Sequence, residues 1–114
     1  KEVLIKCANA GKHIFTEKVL TLTYEDALEV KEAVETAGVM FTICLFQRCH
    51  GNKIEAKRIA DSGELGKITH ARVRNVHTGK SANWLPEHFY DKTACGGGAM
   101  VDLGAHPMYL LQWI

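Results

Sequence analysis

Asp102 and His106 stand four residues apart, a spacing that on a helix puts both on one face, about one turn from each other. A carboxylate so placed orients an imidazole and stabilises its protonated form, the arrangement wanted in a general acid/base. The backbone around them breaks helix rules. Gly104 weakens a helix, and Pro107 removes the hydrogen bond to the Leu103 carbonyl, at about 3 kcal/mol in a helix interior. Local rules broken together at one point mark a site more often than an accident. A satisfied core histidine on an apolar helix is the competing reading of His106. Lys18 is the second chemically useful group, because an ammonium at a strand end can meet a polar ligand or a developing oxyanion.

Other constellations carry less chemistry. Gly96-Gly97-Gly98 precedes a helix, where bare amides and the dipole favour anions. No strand leads into it and no Lys-Ser/Thr follows it, so it reads as a loop of close backbone approach. Trp84 and Phe89-Tyr90, in the long loop before these glycines, line a pocket or cap the core. The six histidines form no H-x-H or H-x-x-x-H pair, and His70 and His77 are an odd number apart on a strand, so no metal site is expected. His13, His50, His70, His77 and His88 read as surface or loop residues. Cys7, Cys44, Cys49 and Cys95 lack C-x-x-C spacing and read as reduced thiols rather than zinc ligands or a redox pair.

These groups need elements to hold them. Val3 to Ala10 reads as the tail of a helix closed by Gly11, and Lys12 to Lys18 as a short strand ending at Glu17 and Lys18. Thr23 with Asp26 opens a second helix, whose apolar residues Ala27, Val30, Val34 and Ala37 share one face and which stops at Gly38. Val39 to Phe46 is nearly continuous apolar sequence, the pattern of a strand buried on both faces. Strand, helix, strand make a βαβ unit with a right-handed crossover, and ligands bind beyond the carboxyl ends of such strands, here Glu17-Lys18 and Gln47-Arg48. Asn52 to Ser62 is an amphipathic helix closed by Gly63, with a turn at Gly66. Ile68 to Val76 then alternates, Ala71 and Val73 against Arg72 and Arg74, as an antiparallel strand with one wet face would. Thr78 to Cys95 is loop-like, and Ala99 to Ile114 a strongly apolar helix. The change of sheet type near Arg48 to Gly51 marks a domain boundary.

The composition agrees with a folded chain. At 114 residues, 46% hydrophobic and 24% charged, it holds one core and is too short for two full domains. Fourteen Lys+Arg against 13 Asp+Glu leave a net charge of +1, no field for a nucleic-acid backbone or an anionic membrane. No apolar stretch nears the roughly 20 residues a membrane span needs, and a cytoplasmic protein is expected. The chain starts on Lys1 rather than Met and ends on Ile114, so a leader removed with either end is compatible with it.

Three segments, in order, resemble the Gfo/Idh/MocA family, the glucose-fructose oxidoreductase and inositol dehydrogenase relatives. Ala10-Gly11-Lys12-His13-Ile14-Phe15-Thr16-Glu17-Lys18 is similar to the family's A-G-K-H-V-x-x-E-K-P, and Asp61 to Ile68 to its D-S-G-E-I-G-x-I turn. Phe89-Tyr90-Asp91 followed by Gly96 to His106 resembles its G-G-G-x-x-x-D-x-G-x-H helix. The resemblance implies NAD or NADP as cofactor and a small sugar or polyol as substrate. It implies catalytic roles for Lys18, Asp102 and His106, and cofactor contacts at Glu17, Lys18 and Arg48. Val19 stands where the family has proline, and Cys44 to Gly51 keeps one arginine and the histidine of G-F-N-R-R-F-H-P. The G-x-G-x-x-G unit is absent, so the chain looks like the middle of such an enzyme.

The expectation is therefore an α/β chain. Residues 1–48 form the C-terminal part of a Rossmann-like doubly wound dinucleotide-binding domain, and residues 49–114 begin an α+β substrate domain with an antiparallel sheet. Its function would be hydride transfer between a nicotinamide and a secondary alcohol. Lys18 and His106 would converge on one ligand cavity. The alternative is a non-catalytic remnant that oligomerises through exposed sheet edges and binds no cofactor by itself.

Overall fold

The computed structural model describes residues 1–114, which divide into two compact units, Lys1–Cys44 and Leu45–Ile114. In the first, helix α1 (Glu2–Asn9) is followed by strand β1 (Ile14–Thr16), helix α2 (Tyr24–Ala37) and strand β2 (Phe41–Ile43). The strands pair in parallel, Ile14 opposite Phe41 and Thr16 opposite Ile43, as the βαβ reading requires. Both helices end by the same device. At Gly11 (φ 68°) and Gly38 (φ 62°) the chain turns left-handed. The Lys12 and Val39 amides then donate back to the Cys7 and Val34 carbonyls, satisfying acceptors the helix leaves over. At its start α2 is capped by the Thr23 hydroxyl, which accepts from the Asp26 amide at 3.2 Å.

The core of this unit is small: Ala8, Ile14 and Val30, where α1 packs on α2 and β1. The strand expected over 39–46 is shorter and is not buried on both faces. Phe41 and Ile43 are half-buried, Thr42 is exposed, and its neighbour Phe15 is 73% exposed. Burial on both faces needs a second layer, and no element of the chain covers the face that Phe15 and Thr42 share.

The second unit opens with a 3₁₀ helix over Phe46–Cys49 and helix α3 (Gly51–Ser62), which stops at left-handed Gly63. A second 3₁₀ helix (Glu87–Tyr90) and helices α4 (Lys92–Cys95), α5 (Ala99–Asp102) and α6 (Ala105–Trp113) complete it. Gln47 and Arg48 therefore lie in the 3₁₀ helix of this unit and not at the end of β2, whose ladder closes with the Cys44 amide on the Thr16 carbonyl. Ile68 to Val76 forms no strand. Its alternation survives as burial, Val73 and Asn75 half-buried between exposed Arg72, Arg74 and Val76, but a ladder needs a partner strand and the unit contains none. The loop expected over 78–95 holds two short helical turns, the later one capped by Asp91, whose carboxylate accepts from the Thr93 and Ala94 amides. No helix of the chain is long and apolar enough to cross a membrane.

Candidate active site

The apolar segment from Ala99 is two helices rather than one, broken at Leu103-Gly104. Pro107 has no amide to give the Leu103 carbonyl. That carbonyl instead accepts from the Asn75 side-chain amide at 3.1 Å and from the His106 amide at 3.3 Å. Gly104 is required by space rather than by its φ of −69°. A Cβ there would run into the Met100 carbonyl oxygen and sulfur. Gly97 is similar, with the Val101 side chain where its Cβ would be, which is the close approach expected of the glycine run. The carbonyl that Pro107 leaves over thus has two donors.

His106, 5% exposed, is buried beside Tyr109 and Leu110. Its Nδ1 lies 2.8 Å from the Tyr109 hydroxyl, which also accepts from the Gln47 backbone amide at 3.3 Å. Edge-on rings of Phe46 and Tyr109 flank the imidazole at 5.1 and 5.5 Å. Asp102 meets a second histidine: its Oδ2 lies 3.8 Å from Nε2 of His77. The His77 Nδ1 accepts from the Gly79 amide at 3.0 Å, so the neutral ring carries its proton on Nε2, on the Asp102 side. His77 packs at 4.9 Å against Trp84.

Arg48 is turned onto α6. Nη2 donates to the Tyr109 carbonyl at 3.2 Å, the guanidinium lies 5.6 Å from the Tyr109 and Trp113 ring centres, and Nε is buried without a partner. Gln47 reaches Asn75, which in turn holds Leu103. The 3₁₀ helix, Asn75 and the helix break therefore form one hydrogen-bonded frame around His106.

In the first unit, exposed Glu17 and half-buried Lys18 follow the carboxyl end of β1, where parallel sheets bind ligands. The Lys18–Val19 peptide is cis. His13 is also placed, its Nδ1 accepting from the Met40 amide at 3.0 Å, so it ties β1 to the approach of β2.

Three residues around the site escape a reading by spacing alone. Tyr109 is three after His106 and so shares its face, a signal that the apolar character of the helix hides. His77 and Asn75 lie on a segment read only for its alternation.

This geometry has relatives. Residues 54–114 match the model of the GFO/IDH/MocA C-terminal domain, and residues 1–44 that of the oxidoreductase family with an NAD-binding Rossmann fold. The chain belongs to the Gfo/Idh/MocA family. It is 39% identical over 113 residues to scyllo-inositol 2-dehydrogenase (NAD(+)) of Bacillus subtilis, covering 99% of this chain and 31% of that protein. An uncharacterised oxidoreductase of Schizosaccharomyces pombe is 33% identical over 108 residues, 92% of this chain and 28% of its own length. Among solved structures, myo-inositol 2-dehydrogenase from Lactobacillus plantarum is similar with a TM-score of 0.82 at 27% identity, over 98% of this chain and 33% of that one. The scyllo-inositol dehydrogenase of Lactobacillus casei, solved with NAD(H) and scyllo-inositol, shares the fold with a TM-score of 0.84 at 23% identity, over 98% and 33% of the two chains. The chain spans about a third of the length of these relatives.

The residues present fit part of a dinucleotide site. Glu17 and Lys18 stand at the ligand end of a parallel ladder. Arg48 has its Nε sealed and its Nη2 engaged by the Tyr109 carbonyl.

Proposed function

We propose that this family member acts as part of an NAD(P)-dependent dehydrogenase that moves a hydride between the nicotinamide and a secondary alcohol of a sugar or polyol. The observation that carries the proposal is His106, held at Nδ1 by Tyr109 beside a helix break whose Leu103 carbonyl is taken by Asn75. Bound NAD or NADP supplies the hydride acceptor or donor. His106 takes the proton of the substrate hydroxyl in oxidation and returns it in reduction. Asp102 adds negative charge near the imidazole, and Lys18 steadies the developing alkoxide. Glu17, Lys18 and Arg48 hold the cofactor. Given a partner strand, which this unit lacks, the alternating segment 68–76 would pair into an antiparallel substrate sheet.

Titration of the chain with NADH and NADPH, followed by nicotinamide fluorescence, tests cofactor binding; saturation is expected, and a flat response defeats it for this chain. With inositols and aldoses as substrates, His106→Ala is expected to lower kcat by about 10²–10⁴-fold while cofactor affinity is kept. Equal loss of both would remove the acid/base role.

One observation favours a second reading. The sheet is two strands with both outer edges unpaired and Phe15 exposed on its face, which suits a non-catalytic chain that pairs edges between copies. Light scattering across a concentration series separates the two: a monomer that binds cofactor supports the enzyme, an oligomer that binds none supports the remnant.

A further inference from the structure

We propose that His77 is a specificity-determining residue that, with Asp102, holds one hydroxyl of a neutral polyol: the ligand oxygen accepts from the His77 Nε2–H, and its hydrogen goes to the Asp102 carboxylate. This rests on the sugar or polyol reading above. The donor is fixed by the loop that follows it. The Gly79 amide donates to His77 Nδ1 at 3.0 Å, so the neutral ring carries its proton on Nε2. Gly79 is held in turn at its carbonyl, which accepts from the Trp84 amide and from the Tyr90 hydroxyl, each at 3.2 Å. A Cβ on Gly79 would lie 2.7 Å from the His77 ring and from Leu85, so only glycine brings its amide this close without moving either.

The span then decides the ligand. Nε2 of His77 and Oδ2 of Asp102 are 3.8 Å apart, beyond a direct hydrogen bond, and one oxygen about 2.8 Å from each atom bridges them. A hydroxyl suits that place because it accepts and donates at once. A ketone oxygen accepts but leaves the carboxylate without a donor, and a ligand carboxylate is repelled by Asp102. Asp102 keeps its second oxygen for other partners, a carboxylate having lone pairs for several donors. Side-chain exposures of 30% and 28% leave the pair within reach of a small molecule. Trp84, packed on His77 at 4.9 Å and 56% exposed, offers an aromatic surface beside it for the carbon face of a ring.

The test is a titration of the 114-residue chain with myo-inositol, followed by the nitrogen-15 signals of the His77 ring and the Trp84 indole, which His77→Gln and Trp84→Phe assign. Saturable movement of both signals is expected, with the His77 proton on Nε2 throughout. His77→Phe removes the donor and is expected to weaken binding about tenfold, while His77→Gln, whose amide N–H stands near the lost Nε2–H, restores most of it. Three results overturn the proposal: no saturable binding, binding that leaves the His77 and Trp84 signals unmoved, and a folded His77→Phe chain with unchanged affinity. Equal weakening in a folded His77→Gln chain does so too. The wild-type titration decides by itself where a variant does not fold. A parallel titration with NADH keeps the two readings apart. Inositol held through His77 by a chain that binds no NADH keeps the hydroxyl site and defeats hydride transfer; NADH binding with an inositol affinity indifferent to His77 defeats the site alone.

Discussion

The two units handle backbone irregularity in opposite ways. In Lys1–Cys44 the helices end where a local signal ends them: Thr23 caps α2, Gly11 and Gly38 close the helices, and the parallel ladder runs between them. In Leu45–Ile114 the helix near the site is broken by Gly104 and Pro107, and the break is repaired from 28 residues away by Asn75. Local repair makes a scaffold from short-range information. Distant repair makes a site, since it holds the turn from which His106 reaches Tyr109.

The contrast can be broken experimentally, beginning with the second core. Leu110 is fully buried in α6, and Leu110→Ala is expected to cost about 2–5 kcal/mol in urea unfolding of the unit that holds it. A loss under about 1 kcal/mol would mean that α6 has no true core. Gly104→Ala comes next. The added methyl meets the Met100 carbonyl, so α5 and α6 must shift, at a cost of about 1–3 kcal/mol with altered His106 ring shifts. Silence in both readouts would show that the tight approach is not what aims the imidazole.

The first unit answers on a smaller scale. Thr23→Ala removes one cap and is expected to cost about 1 kcal/mol, with faster hydrogen exchange confined to the first turn of α2. The smallest effect is electrostatic. Lys1 Nζ sits 2.8 Å from Asp26 and 3.1 Å from Glu29. Chiefly through its hydrogen bond, Lys1 holds the Asp26 carboxyl below its ordinary 3.8, and Asp26 and Glu29 hold the Lys1 ammonium above its ordinary 10.5. Asp26 therefore contributes stability above its unfolded value, and that contribution fades as pH falls through the lower folded one. Lys1 contributes below 10.5 and loses its share as pH rises through the raised folded value. Asp26→Asn should narrow the difference in melting temperature between pH 6 and strong acid by a small amount, because the pair is exposed. An unchanged difference would leave the ion pair without a role in stability.

How much could be read in advance divides along the same line. Helix α2 was legible because Thr23, the period of Ala27, Val30 and Val34, and Gly38 all act within a turn of the residues they govern. The end of β2 was not. Leu45 and Phe46 continue an apolar run, yet Phe46 turns into a 3₁₀ helix and packs its ring against His106. The alternation at Ile68 to Val76 described a face and not a strand, since pairing depends on a partner the segment cannot encode. At the site, Gly104 and Pro107 announced an irregularity and His106 the chemistry, while the partners Tyr109, Asn75 and His77 came only with coordinates.

Sequence alone determined the helices and the parallel strand–helix–strand order of the first unit, the family to which the segments are similar, and which side chains have useful chemistry. Those depend on residue type and on spacings of three or four along the chain. Tertiary structure decided that the Leu103 carbonyl takes the Asn75 amide, that Asp102 faces His77, and that His106 rests on a phenol. The first two are contacts between distant residues, the third depends on how α6 packs, and a buried polar group takes whichever partner packing brings within 3 Å or so.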